Sequence, residues 1–557
     1  MSRFRPLLAA VVGLAFAVAI PARAEAPKLI VLVSVDQFCQ EYLLRYRDNI
    51  LGAKLFFAAM EEKGAVYRNC HHQHGITLTA PGHAALMTGA YPNVHGIVGN
   101  NWYDRLLKKD VYCVTDQDAK NLGPELPEDT NEPEASIGMS PRSMLAETVG
   151  DVLKLATAGR SKVFGVGWKD RSGILMAGHT ADAVYWNRKG NWITSTYYRN
   201  DIPGYLRNLN EGKFIKSYSA KPWKLLHAAN KYHQGAEDDN PAERPPEGFT
   251  RTFPHEMPDI SEKAFYAKLP YTPFANEFTL QAAREIITAE KLGADAWPDI
   301  LCVGLSANDY VGHAYGPHSL EVEDMVYRTD QQLAQFTQFL ADTLGTTGWT
   351  IILTADHAVA PVPKYAQDNR IPAIRNPVGV AANVKPQLEM YLRKELDIPT
   401  DGEEPLVTKV EANQVYLQHG HPALKGEKYY LALKLTRDWF LENRTVVAAL
   451  TREQLMTAGE TKLLQQMHKA FHPRRSGDVL FVTMPYSQPG ASGTTHGSPW
   501  NYDSHVPLMM FGHGIRAGKH DRQISPAAIA ATVARLIGID PPSAHAEGPA
   551  NEALQRD

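Results

Sequence analysis

The sequence predicts an α/β protein: a doubly wound, mostly parallel sheet flanked by helices and carrying inserted cap segments. Three observations carry that expectation. Four short, strongly apolar runs each pass directly into polar residues or glycine. Helical patterns lie between them. Most of the carboxylates and imidazoles with ligand chemistry fall where those runs end. Near-continuous apolar runs suit parallel strands buried on both faces. Their alternation with helices argues a doubly wound sheet, in which ligands bind beyond the carboxyl ends of the strands.

The chain opens with Arg3 and Arg5, a fourteen-residue apolar run from Leu7 to Ile20, and Pro21-Ala22-Arg23-Ala24. A basic start, a short apolar core and an Ala-x-Ala ending describe a secretory signal peptide over residues 1–24. The run is too short for a comfortable bilayer span of about 20 residues, so no membrane span is expected once the signal is removed. Cleavage removes three arginines and no acids, moving the formal charge from −4 to −7. A mildly acidic chain is a poor nonspecific nucleic-acid binder, so no obligate nucleic-acid partner is expected. The expected location is the periplasm or the medium.

The first strand candidate is Leu29 to Val35, ending at Asp36. The others are Ile300 to Leu305, Trp349 to Leu353 and Val506 to Phe511. Helices are expected from Glu277 to Lys291, capped by Asn276, within Ser319 to Leu344, and from Ser525-Pro526 onward. Segments near 200–258 and 363–476 break the alternation and read as insertions in one catalytic domain spanning 25–557. With 44% hydrophobic residues the chain can fill a large core. None of Cys39, Cys70, Cys113 and Cys302 forms a CxxC pair, which argues against a cysteine zinc site. Cys70 and Cys113 are candidates to pair in an oxidising compartment, whereas Cys39 and Cys302 read as small buried residues.

Asp36, Asp309, His313, Asp356, His357 and His496 form the first chemical constellation. Asp309 and His313 are four apart and share one face if the chain turns helical there. Mixed Asp and His donors suit zinc. Taken singly, each has a plain reading as a cap, a turn or a hydrogen-bonded side chain, and spacing alone leaves the two readings balanced. A second constellation places Thr79 just before a helix opened by Pro81-Gly82, where free N–H groups and the helix dipole favour an anion. That hydroxyl is equally able to serve only as an N-cap. In a third, Lys169 and Arg171 point to one face of an extended segment. A guanidinium and an ammonium there can grip phosphate oxygens; a charged surface turn is the plain alternative.

The motifs TLTAPGHAALMTG, HGIVGNNWYD, WKDR, NDYVGHAYGP, TADH and GTTHGSPWNYDSHVPLMMFG, in this order, resemble the alkaline phosphatase superfamily. The resemblance is to bacterial phosphate-irrepressible alkaline phosphatases with a threonine nucleophile, relatives of nucleotide pyrophosphatase/phosphodiesterases. It runs from Val33 to the helix near Leu536. It implies two Zn2+ ions, one held by Asp36, Asp356 and His357 and the other by Asp309, His313 and His496. Thr79 is then the nucleophile between them, bonded to the first ion, and a phosphothreonine forms. Asn100, Lys169 and Arg171 are implied to hold the phosphate oxygens. Two cations match the three free oxygens of a monoester better than a diester, so small-molecule phosphate monoesters are the expected substrates; the sequence leaves the oligomeric state open, with a monomer favoured. Nucleotide pyrophosphatase/phosphodiesterase activity is the alternative. A complete set of ligands and a nucleophile argues against a binding protein without turnover.

Overall fold

The computed structural model describes residues 26–124, 137–233, 238–377, 384–399 and 404–555; the segment 1–24 expected to be a signal peptide lies outside the described residues. Eleven strands form one sheet among them. Its centre holds Leu29–Val35 (β1), Val163–Gly167 (β2), Asp299–Leu305 (β3), Trp349–Thr354 (β4) and Leu508–Gly512 (β5), in the spatial order β5-β4-β1-β3-β2. Every residue of β1 to β4 is buried, as expected of strands covered by helices on both faces. β1 runs parallel to β3 and β4, and β3 parallel to β2. The fifth strand departs from expectation, because β5 is antiparallel to β4. A run apolar on both faces reports burial and carries no information on direction.

The register decides where function can sit. Val35 lies opposite Leu305, Ser34 opposite Thr354, and Gly304 opposite Gly167. The four parallel strands therefore end together, and the residues that follow them emerge side by side on one edge of the sheet.

The helices near that edge are Thr79–Thr88 (α1), Asp170–Ala177 (α2), Pro273–Glu290 (α3), Ala307–Tyr315 (α4), Leu320–Leu344 (α5) and Ala528–Ile537 (α6). Ser319 caps α5, its hydroxyl accepting from the Val322 N–H. Asn276 does not cap α3, which begins a turn earlier at Pro273. It is buried inside that helix and accepts from the Ala307 N–H at 3.1 Å, so it satisfies an orphan donor of α4 instead. Ser525 likewise accepts from the Ala527 N–H, just ahead of α6.

The two segments expected to be insertions, near 200–258 and 363–476, differ in how they pack. Leu206, Tyr218, Trp223 and Phe249 join the main core. Val407–Glu411, Gln414–Leu417, Val446–Thr451 and Val479–Thr483 instead build a separate antiparallel sheet. That sheet has its own apolar cluster around Leu388, Leu433, Phe440 and Phe481. All four cysteines are buried and free. The pairing considered for Cys70 and Cys113 is absent: Cys70 is bridged to Ile524, while Cys113 is bonded to Asn100. Polar flanks say nothing about Cα separation, which is what a disulfide requires. No helix among the described residues is long and apolar enough to cross a membrane.

Candidate active site

The loops after β1, β3 and β4 bring three carboxylates together. Asp36 follows β1, Asp309 lies in the first turn of α4, and Asp356 follows β4. All three are buried. Burial, then the charges of Asp309 and Asp356, push the Asp36 carboxyl up to about 8. Gln37, in the left-handed region at φ 65°, ties the group together. Its side-chain amide donates to Asp309 at 2.7 Å and its N–H to Asp356 at 3.2 Å. The Asn308 amide closes the loop by donating to the carbonyls of Asp36 and Gln37.

Three imidazoles face these carboxylates. His357 Nε2 lies 3.3 Å from Asp356 Oδ2 and 3.5 Å from Asp36 Oδ1. His313 Nε2 lies 3.2 Å from Asp309 Oδ1, and His496 Nε2 3.7 Å from the same atom. The His357 and His496 rings stack with centroids 3.4 Å apart. In each ring Nδ1 is committed to a backbone carbonyl: Ala358 for His357, Thr494 for His313, Thr77 for His496. A donor fixed at Nδ1 leaves the Nε2 lone pair free, as metal-ligating histidines require. Burial holds His357 and His496 below the ordinary histidine range, which keeps them neutral for the same purpose.

Thr79 is the first residue of α1, its hydroxyl buried 3.4 Å from His357 Nε2. It therefore lies inside the helix start that was expected five residues later, at Ala84. Leu78 precedes it without a capping side chain, so the N-cap reading of Thr79 does not hold. His83, one turn on, was not assigned a role from sequence. Its Nδ1–H reaches the Thr79 carbonyl at 2.9 Å and Asp356 Oδ2 at 3.2 Å, linking α1 to the end of β4.

Gly82 permits that approach. A Cβ there would stand 2.1 Å from the Asp356 carbonyl oxygen, a contact only backbone movement can relieve. Gly82→Ala should therefore cost about 1–3 kcal/mol in denaturant unfolding and reduce turnover at the same time. Unchanged stability and rate would show that α1 does not need this contact.

Asn100 accepts from the Ala80 N–H at 2.9 Å, which fixes its amide orientation and leaves its Nδ2 donor available beside Thr79. Lys169 and Arg171 do not lie in an extended segment. Lys169 is the extended N-cap of α2 and Arg171 is within its first turn. Both still face the site. The buried Lys169 ammonium bridges Asp36 at 2.7 Å and Asp309 at 2.5 Å. Arg171 is steadied by the Tyr112 hydroxyl at 3.1 Å, and Tyr112 donates to Asp170. Lys169, Arg171, Asp309 and His313 line one cavity of about 430 Å3, together with Arg244 and Tyr271. Tyr112, Arg244 and Tyr271 carry no sequence signal, because only tertiary folding brings them near the motifs.

The donor atoms fit metal ions. Asp309, His313 and His496 form one set whose ligand atoms lie within 4.8 Å of one another, and Asp36, Asp309 and His357 form another. Asp36 Oδ1 is buried with no hydrogen-bond donor, and among the described residues Lys169 is the one ammonium or guanidinium paired with the three carboxylates. Buried carboxylate oxygens without donors call for a cation. Residues 30–488 match the family described as type I phosphodiesterase / nucleotide pyrophosphatase. The chain belongs to this family. Within it, the chain is 33% identical to the alkaline phosphatase PhoV of Synechococcus elongatus, over 93% of this chain and 91% of that protein. It is 32% identical to the alkaline phosphatase PafA of Elizabethkingia meningoseptica, over 95% of each chain. The crystal structure of wild-type PafA superimposes with a TM-score of 0.83 at 30% identity, covering 95% of this chain and 99% of that one. This member of the type I phosphodiesterase family is thus an enzyme of the alkaline phosphatase kind, with the fold of PafA.

Proposed function

We propose that this protein is an exported, zinc-dependent phosphatase that hydrolyses phosphate monoesters through a phosphothreonine on Thr79. The observation that carries this reading is the convergence of Asp36, Asp309 and Asp356 with three Nδ1-anchored imidazoles, one of which, His357, lies 3.4 Å from the buried Thr79 hydroxyl. Asp36, Asp356 and His357 would hold one ion, and Asp309, His313 and His496 the other. When bound, zinc favours the ionised hydroxyl and stabilises charge on the leaving oxygen.

The residues of the chain do the rest. The helix start of α1 holds the Thr79 oxygen in line with phosphorus, and the positive end of the helix dipole favours the anionic phosphoryl group. The Asn100 amide, Lys169 and Arg171 bind its non-bridging oxygens. Attack forms the Thr79 Oγ–P bond and breaks the ester P–O bond, releasing the alcohol. Water then cleaves the phosphothreonine, giving inorganic phosphate and restoring Thr79. Catalysis on this account is mainly positioning and charge stabilisation.

Diester hydrolysis, which the family description also names, is the second reading. Lys169 and Arg171 discriminate between the two, since a diester has fewer charged oxygens to meet two cations. Zinc-loaded wild type should therefore prefer p-nitrophenyl phosphate to bis-p-nitrophenyl phosphate by orders of magnitude. Lys169→Ala/Arg171→Ala should lower that preference roughly one hundred- to ten thousand-fold, as expected for two charged hydrogen bonds. A wild type that prefers the diester would transfer the site to the phosphodiesterase reading.

A further inference from the structure

Of two arginines outside this catalytic set, Arg244 lines the cavity and Arg375 is bonded to one of its wall residues, Pro489. Arg244 belongs to the loop between Asn240 and Phe249. Its N–H donates to the Ala314 carbonyl in α4 at 2.7 Å, and the Gly493 N–H donates to Ala242 at 2.8 Å. The loop is thus fastened to both chain segments that carry imidazoles of one ion set, His313 and His496. The Arg244 side chain is exposed to solvent and lines the same cavity as Lys169, Arg171 and His313.

Arg375 approaches from the other insertion. It is half-buried, and its guanidinium donates to the Pro489 carbonyl, a residue of the cavity wall. Burial first, and the like charge of Arg244 second, hold Arg375 below its ordinary value. Among the described residues neither arginine pairs with a carboxylate. A guanidinium that lines a cavity without a carboxylate partner is free to attract an anion there, and a second positive charge nearby strengthens that attraction. Guanidinium geometry matches phosphate oxygens bidentately.

We propose that Arg244, supported by Arg375, is a specificity-determining subsite for a second phosphate group carried on the alcohol portion of the substrate. It rests on the phosphomonoesterase reading above, in which the ester oxygen leaves toward the Asp309, His313 and His496 side where this cavity opens. The favoured substrates are then bisphosphorylated small molecules, ahead of phosphate esters of neutral alcohols.

The test compares kcat/KM for fructose 1,6-bisphosphate and glucose 6-phosphate, two esters of sugar hydroxyls, on zinc-loaded wild type, Arg244→Ala, Arg244→Glu and Arg375→Ala. Wild type should favour the bisphosphate by about tenfold, the worth of one charged hydrogen bond. That preference should sit in KM and shrink as salt screens the contact. Arg244→Ala should remove most of it, Arg244→Glu should reverse it, and Arg375→Ala should weaken it. A wild-type ratio near one, or a ratio unmoved by Arg244→Glu, overturns the subsite while leaving the phosphatase reading intact. Failure of wild type on both sugar phosphates and on p-nitrophenyl phosphate overturns that reading, and the subsite with it.

Discussion

Thr79→Ala should lower kcat/KM for p-nitrophenyl phosphate by roughly 10⁴-fold or more, the scale on which removal of a covalent nucleophile is felt. The loss should appear without unfolding. Thr79 is the first residue of α1, and its side chain caps nothing, so the helix keeps its hydrogen bonds when the hydroxyl goes. Metal content and inorganic phosphate binding should also survive, because the carboxylates and imidazoles are untouched. Thr79→Ser should keep much of the rate, since it retains the oxygen in the same place. Acid quenching during turnover should trap phosphate on the Thr79 peptide of wild type and none on the alanine variant. A variant that still turns over within tenfold of wild type, or a phosphate trapped elsewhere, would remove Thr79 from the mechanism.

Removing the ions should also be severe. Chelation should cut turnover by at least about 10³-fold, the scale of losing a main charge-stabilising element, and zinc should restore it. Stability should fall as well. With the ions gone, Asp36, Asp309 and Asp356 share a buried space in which Asp36 Oδ1 has no donor. The buried Lys169 ammonium bridges only Asp36 and Asp309. A ligand that binds the native state at a thousand times its dissociation constant contributes about 4 kcal/mol, so a clear drop in Tm is expected on chelation. Elemental analysis should give two zinc per chain. Full activity in protein with well under one metal ion per chain would end the metal reading.

Much of this architecture was legible from local pattern. The bounds of β1 coincide with its apolar run, and β3 and β4 each differ by one residue, because full burial leaves a continuous apolar signature. The polar residues after those strands were legible as a site because parallel strands that begin in register also end in register. Direction was not legible, and β5 shows why: Met509 and Met510 are equally buried whichever way the strand runs. Partners far away in sequence were also hidden. Asn276 looks like a cap for its own helix and instead satisfies α4, and Lys169 and Arg171 sit at a helix start where an extended segment was expected. The supporting contacts of Gln37, His83, Tyr112 and Arg244 exist only once loops distant in the chain have met. Individual ligand assignments leaned on motif resemblance, since side chains with ligand chemistry are common and their convergence is a tertiary fact.

The central position of β1 also has a bearing on how the chain matures. β1 is made first, yet its two neighbours begin at Asp299 and Trp349, and the last imidazole of the cluster is at position 496. Pairings between residues so distant form slowly. Until they form, seven consecutive buried-type residues present two unpaired edges to anything nearby, a recognised aggregation hazard. Ion capture must therefore wait for an almost complete polypeptide. A chain that crosses a membrane unfolded would take up its metal only on the far side, so activity would be governed by the ions available there and not by those in the compartment of synthesis.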